Sequence, residues 1–173
     1  MRKIHLLLIS ALLITACQQA PKTDAAASSP TPNYPYKIKH PDNWDIDTSH
    51  NNTMVALNAL KSYETMDTAL MKKCFSDSIT LNLDSFTFKG TNAQFIKMAM
   101  TMGASMKNYK IDMKDWEAVV SKDKTEEWVT VWYTQHWANA TGKTDSVQYV
   151  NDVKLKGGKI IKIDEYGRHF PKK

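Results

Sequence analysis

"EEWVTVWYTQHWA", residues Glu126 to Ala138, is the most aromatic segment of the 173-residue chain and is also rich in β-branched residues; its reading decides the fold. Such residues suit a pleated, half-buried strand. Alternation sorts them onto two faces: Trp128, Thr130, Trp132, Thr134 and His136 on one, Val129, Val131, Tyr133, Gln135 and Trp137 on the other. The second set is the more continuously apolar and is assigned to the interior. Trp128 and Trp132 then fall on the outer face, where tryptophans at period two form a patch suited to a partner, most simply a second copy of the domain. With the faces reversed, Trp132 and His136 would line the interior and His136 would lead the acid/base candidates.

Outward from this strand the pattern continues. "NATGK" after it is a turn, "TDSVQYVNDVKL" returns as a strand, "KGGK" turns again and "IIKIDEY" closes, so three strands linked by hairpins form an antiparallel meander. Upstream, "NYKIDMKDWEAVV" alternates at Tyr109, Ile111 and Met113, then slips phase near Asp115 or Trp116, which predicts a bulge. "ITLNLDSFTF" alternates Ile79, Leu81 and Leu83 against polar residues and reads as a half-buried strand.

Three helices are expected, all before residue 107. Ala56, Leu57, Leu60 and Tyr63 share one face of a helix from about Ser49 to Glu64, with Ser49 or Asn52 as N-cap. Asp67 caps a second helix carrying Leu70, Met71 and Cys74, and Thr91 caps a third with Phe95, Ile96, Ala99 and Met102 inward. Met98, Met100, Met102 and Met106 read as pliable core, because methionine fills irregular interiors.

Helix, helix, strand, helix and then long strands give an α+β fold with the helices on one face of a curved sheet. "YETMD" (63–67), "CFSDSIT" (74–80), "KGTNA" (89–93) and "GGKII" (157–161), in this order and spacing, resemble the nuclear transport factor 2-like superfamily and its SnoaL-like group from about His50 to Gly167. The resemblance implies a cone-shaped domain: three N-terminal helices packed on a strongly curved antiparallel sheet that wraps a deep pocket, often dimerised through the outer sheet face. Ketosteroid isomerases on this scaffold use an aspartate base on the first strand, with a tyrosine and a protonated aspartate as oxyanion hole. Laid over this chain, the base position falls on Leu83, the tyrosine on Ala59 and the second aspartate on Asn151. An isomerase of that mechanism is therefore not expected, although Asp84 would serve if a bulge moved the register by one residue.

Function must then be argued from the pocket. With Asn151 inward, Val147, Tyr149, Val153 and Leu155 share its face, giving an apolar wall with one amide and one phenol to orient a ligand, and Leu81, Leu83, Tyr133 and Ile163 are the further ligand-binding candidates. On the closing strand Glu165 alternates with Ile161 and Ile163. Glu165 either reaches the pocket mouth, as a base with a raised pKa, or caps a sheet edge in solvent; strand ends are usually wet, which favours the solvent. The candidate acid/base residues are thus Glu165, His136 and Asp84, and the expected ligand is a small, mainly apolar molecule; the alternatives are an acid/base enzyme of isomerase, cyclase or hydratase type and a non-catalytic dimeric scaffold.

The start of the chain sets an address. Arg2 and Lys3 precede an apolar stretch from Ile4 to Ala16, too short to span a bilayer and typical of a signal peptide. Ile14-Thr15-Ala16-Cys17 resembles a bacterial lipobox, which implies lipidation of Cys17. Residues 17–45 are then a flexible tether rich in proline, alanine, serine and threonine, and residues 46–173 the domain. Gln18 and Gln19 after the cysteine favour the outer membrane of the cell envelope, reached through the lipid anchor.

Several classes of function are disfavoured. The formal charge of +5 falls to +3 without Arg2 and Lys3, and the basic residues are scattered, so a nucleic-acid partner is not expected. His40, His50, His136 and His169 lie far apart, without paired-ligand spacing, so no metal site is expected. No phosphate loop or nucleophile elbow occurs, and no cofactor is expected. Cys74, the cysteine left beside Cys17, reads as a buried small hydrophobe.

Overall fold

The computed structural model describes residues 32–40, 42–83 and 86–170. The stretch read as a signal peptide, Cys17 and Asp84 lie outside the described residues. The chain divides into Met1–Lys39 and His40–Lys173; residues 32–39 carry neither helix nor strand, and the account below concerns the second unit.

That unit runs β1 (Trp44–Ile46), α1 (Asn51–Thr65), α2 (Thr68–Cys74), β2 (Phe75–Leu83), β3 (Phe86–Thr91), α3 (Asn92–Gly103), β4 (Lys107–Ser121), β5 (Glu127–Ala138), β6 (Thr144–Lys156) and β7 (Lys159–His169). The strands form one curved sheet in the order β1-β4-β5-β6-β7-β2-β3. The α+β class and the three early helices agree with the sequence reading.

The helices begin where side chains satisfy their free N–H groups. Asp67 Oδ1 accepts from the Ala69 and Leu70 amides at 3.0 and 2.9 Å. At Thr91 the cap is reciprocal: its hydroxyl accepts from the Gln94 amide at 3.3 Å and its own amide donates to Gln94 Oε1 at 2.8 Å. For α1 the expectation fails. His50 occupies the cap position, with positive φ and no side-chain hydrogen bond to the helix.

The buried residues of α1 are Asn52, Thr53, Ala56, Ala59 and Ser62, with Leu57, Leu60 and Tyr63 half-buried beside them. Small residues among the buried ones let the helix lie close to β4 and β5. Glu64 ties it down, because its Oε1 accepts from the Ile111 amide of β4 at 3.1 Å. Burial alone would raise this carboxyl's pKa; the hydrogen bonds from Lys61 and Ile111 hold it below the ordinary range.

The meander β5-β6-β7 forms as the alternation predicts. Gly157 and Gly158 both have positive φ between the paired Lys156 and Lys159, the geometry of a two-residue hairpin turn. The bulge is also present, as a register shift between Met113 and Asp115. Val129 and Val131 are fully buried and Tyr133 nearly so, whereas Trp128, Trp132 and His136 on the other face are partly exposed.

Three features differ from the sequence reading. "ITLNLDSFTF" is not one strand but parts of two: β2 and β3 pair antiparallel from Ser78↔Thr91 to Leu83↔Phe86. The sheet is not wholly antiparallel, since β2 runs parallel to β7, with Leu81↔Ile163 and Leu83↔Glu165 in register. Finally, β1 begins at Trp44, inside the stretch read as tether, and pairs with the end of β4.

Candidate functional site

The registers of four strands place side chains in rows across the concave face. One row is Val129, Val153, Ile163 and Leu81; the next is Val131, Asn151, Glu165 and Leu83. Beyond it Tyr133 pairs with Tyr149, which pairs with Gly167. Gly167 gives the ring room: a Cβ on it would stand 3.0 Å from the Tyr149 ring, which would have to shift by a few tenths of an ångström. The Tyr133 and Tyr149 rings stack at 5.5 Å between centroids.

These rows and the helices enclose a cavity of about 150 Å³. Ala56, Ala59, Leu60 and Tyr63 of α1 roof it, Phe95, Met98, Ala99 and Met102 of α3 close one side, and Tyr109 of β4 and Gln135 of β5 complete it. Met102, 41% exposed, brings the lining to the surface. The wall is mainly apolar because β2, β5, β6 and β7 contribute their inward sets and α1 and α3 their apolar stripes.

Its polar end is a small cluster. Asn151, 3% exposed, donates through Nδ2 to Glu165 Oε2 at 3.1 Å and to the Tyr133 hydroxyl at 3.2 Å. Tyr133 in turn donates to Glu165 Oε2 at 3.4 Å. Both bonds to the carboxyl fall on Oε2, and Asn151 Oδ1 is buried without a partner among the described residues. Burial pushes the Glu165 carboxyl up, against the downward pull of the two hydrogen bonds. Burial and then the neighbouring Glu165 push the Tyr133 phenol well above its ordinary range and Tyr149 up to about 12. Tyr63 rises for the same two reasons, and Tyr109 rises through burial first. Tyr63 and Tyr109 meet edge to face at 5.2 Å.

Leu81, Leu83, Tyr133, Tyr149, Asn151, Ile163 and Glu165 all line this cavity. Glu165 is therefore not at a solvated strand end. His136 lies elsewhere: its Nε2 is 3.1 Å from Asp112 Oδ2 on the sheet's other side, and Asp112 also pairs with Lys110 at 2.7 Å. Trp132, like His136, is absent from the lining. Trp128 is half-buried, covered by Lys154 and Lys162, whose Nζ atoms stand 5.0 and 5.9 Å from its ring centre. Trp132 is half-buried as well.

Sequence reasoning missed Tyr109 and Gln135 as lining residues, and gave Tyr63 and the methionines to the core. Met98, Met102 and Met106 line the cavity instead. The alternation of Tyr109 with Ile111 was the available signal. Leu83 stands where the isomerase resemblance places a base, and its register partner on the adjacent strand is Glu165. The concave face thus carries its carboxylate one strand over from the position that the resemblance implied.

Solved structures share this architecture. An LEH-like epoxide hydrolase from M. tuberculosis aligns over 68% of this chain and 79% of its own, at 11% identity and a TM-score of 0.57. A putative SnoaL-like polyketide cyclase from Jannaschia sp. aligns over 76% and 91%, at 13% identity and a TM-score of 0.57. A nuclear transport factor 2-like protein of unknown function from Burkholderia pseudomallei aligns over 68% and 91%, at 10% identity and a TM-score of 0.57. No family model matches the chain, and no curated protein matches it. At these identities the likeness establishes the fold, that of the nuclear transport factor 2-like cone.

Proposed function

We propose that the domain binds a small, mainly apolar molecule in its cone, with Asn151, Tyr133 and Glu165 orienting the ligand's polar end. One observation carries this reading: a carbon-lined cavity closes on a buried polar cluster that still has an unpartnered acceptor, Asn151 Oδ1. Native interiors rarely leave such a group unpaired, and a bound molecule supplies the missing donor. Ligand-observed NMR with single-ring aromatic compounds tests it. Wild type should bind at least one, and Ala59→Phe, which fills the void from α1, should bind none while keeping its circular dichroism spectrum. Equal binding by both proteins would refute the reading.

A second reading, acid/base catalysis of isomerase, cyclase or hydratase type, is favoured by the raised pKa of Glu165 beside the cavity. It requires turnover whose pH–rate profile collapses in Glu165→Gln; ligand binding without turnover would leave the binding reading alone.

The setting we propose is the cell envelope, at the outer membrane, with the domain anchored through lipidated Cys17. Loss of acyl-chain incorporation in Cys17→Ala tests the anchor. The outer sheet face around Trp128 and Trp132 is proposed to join two copies of the domain. Replacing both by Ser should halve the mass in sedimentation and leave ligand binding unchanged.

A further inference from the structure

The cavity has an acid and no base. Among the described residues its lining contains Glu165 but no Lys, Arg or His. The titratable groups facing Glu165 are the phenols of Tyr63 on α1, Tyr109 on β4, Tyr133 on β5 and Tyr149 on β6, all acids that stay neutral at ordinary pH. A carboxylate taken out of water without a counter-ion is costly, and proteins ordinarily pair such a group. Here the partners offered are one amide N–H and one phenol O–H, both on Oε2.

Two acceptors remain: Glu165 Oε1, since both protein donors among the described residues fall on Oε2, and Asn151 Oδ1, orphaned and buried. They sit on directly paired residues of adjacent strands. Four phenol rings line the same space, and aromatic faces attract cations most strongly where water is excluded. The missing element is a positively charged group with several N–H donors.

Building on the binding reading above, we infer that the ligand is a protonated primary amine on a small apolar body, its ammonium set against Glu165 and Asn151 Oδ1. A single six-membered carbon ring fills a void of about this size. Neutral alcohols of the same shape satisfy one acceptor and offer Glu165 no counter-charge. Carboxylic acids are repelled. Because burial raises the pKa of Glu165 in the empty cavity, the acid must ionise to receive the cation. Amine affinity therefore rises with pH as Glu165 deprotonates, up to the point where the amine itself loses its proton.

Calorimetric titration with benzylamine, benzyl alcohol and benzoate tests this on the whole domain. Benzylamine should bind about tenfold or more tighter than benzyl alcohol at neutral pH, the margin of a charge-assisted over a neutral hydrogen bond. Its affinity should climb as pH rises above the ordinary glutamate range, about 4.3, while that of benzyl alcohol stays flat. Glu165→Gln should erase the preference. Should that variant not fold, the pH dependence of the wild type decides alone. If the alcohol matches the amine, or the preference survives in Glu165→Gln, the amine inference is overturned and the apolar-pocket reading stands. If none of the three binds and the Ala59→Phe comparison is also silent, both fall.

Discussion

Leu155 and Lys154 are neighbours on β6, yet they live in different media. Leu155 is 2% exposed and packs with Val129, Val153 and Ile160 on the concave side. Lys154 stands on the convex side, paired with Glu126 at 3.0 Å and lying over the Trp128 ring. The same contrast holds for the ionisable groups. Asp112, with Lys110 and His136 beside it, is solvated and its pKa is lowered, first by the Lys110 hydrogen bond. Glu165 inside has no cation beside it in the lining among the described residues, and its pKa is raised by burial. A period of two along each strand is enough to put opposite chemistries a residue apart. What distinguishes the interior acid is its burial and, among the described residues of the lining, the lack of a counter-charge.

Mutations can break this contrast, with the largest effect expected on the concave side. Leu155→Ala removes a buried side chain from close packing and should cost about 2–5 kcal/mol in urea unfolding. Tyr133→Phe leaves Asn151 without one acceptor and Glu165 without one donor, costing about 1–3 kcal/mol. On the convex side, Thr130→Ala loses a 2.7 Å hydrogen bond to Asp152, a change of about 1 kcal/mol. Lys154→Ala removes a partly exposed ion pair and a cation–ring contact, and should cost less than about 1 kcal/mol, with the difference shrinking in high salt. Equal costs for Leu155→Ala and Lys154→Ala would mean that the two faces are not distinct.

The pH dependence sharpens the same contrast. The folded state raises the pKa of Glu165, so it holds this proton more tightly than the unfolded chain does. Glu165 therefore makes stability fall as pH rises from the ordinary glutamate range, about 4.3, through its raised folded value. Glu165→Gln lacks that fall. Measured by urea midpoints across this window, the variant should gain on wild type as pH increases.

Much of the frame was legible in local chemistry. Asp67 and Thr91 announce their helices because a short polar side chain before an apolar run can satisfy the first amides. The slip of phase after Met113 gives away the bulge, and two glycines in succession give away the β6–β7 turn. The β2–β3 hairpin was hidden because "LDSF" carries none of the glycine or asparagine-glycine signals of a tight turn. Parallel pairing of β2 with β7 joins Leu83 to Glu165 across more of the sequence than any local pattern spans. That pairing also explains why the reading favoured solvent for Glu165: the default for a strand end is wet, and it is the roof from α1 and Tyr109 that covers this one. The lining from Leu81 to Ile163 could be read by alternation, whereas Tyr109 and Gln135 depended on how far the sheet bends.

The central claim is that Glu165 is an acid held without a counter-ion at the end of an apolar hollow. Titrating its side-chain carboxyl by ¹³C NMR in the ligand-free domain tests this most directly. The account predicts a midpoint clearly above the ordinary glutamate value, moving down when a benzylammonium ion is added. A midpoint at or below the ordinary value in the empty protein would contradict it, by showing that water or a cation already reaches the group.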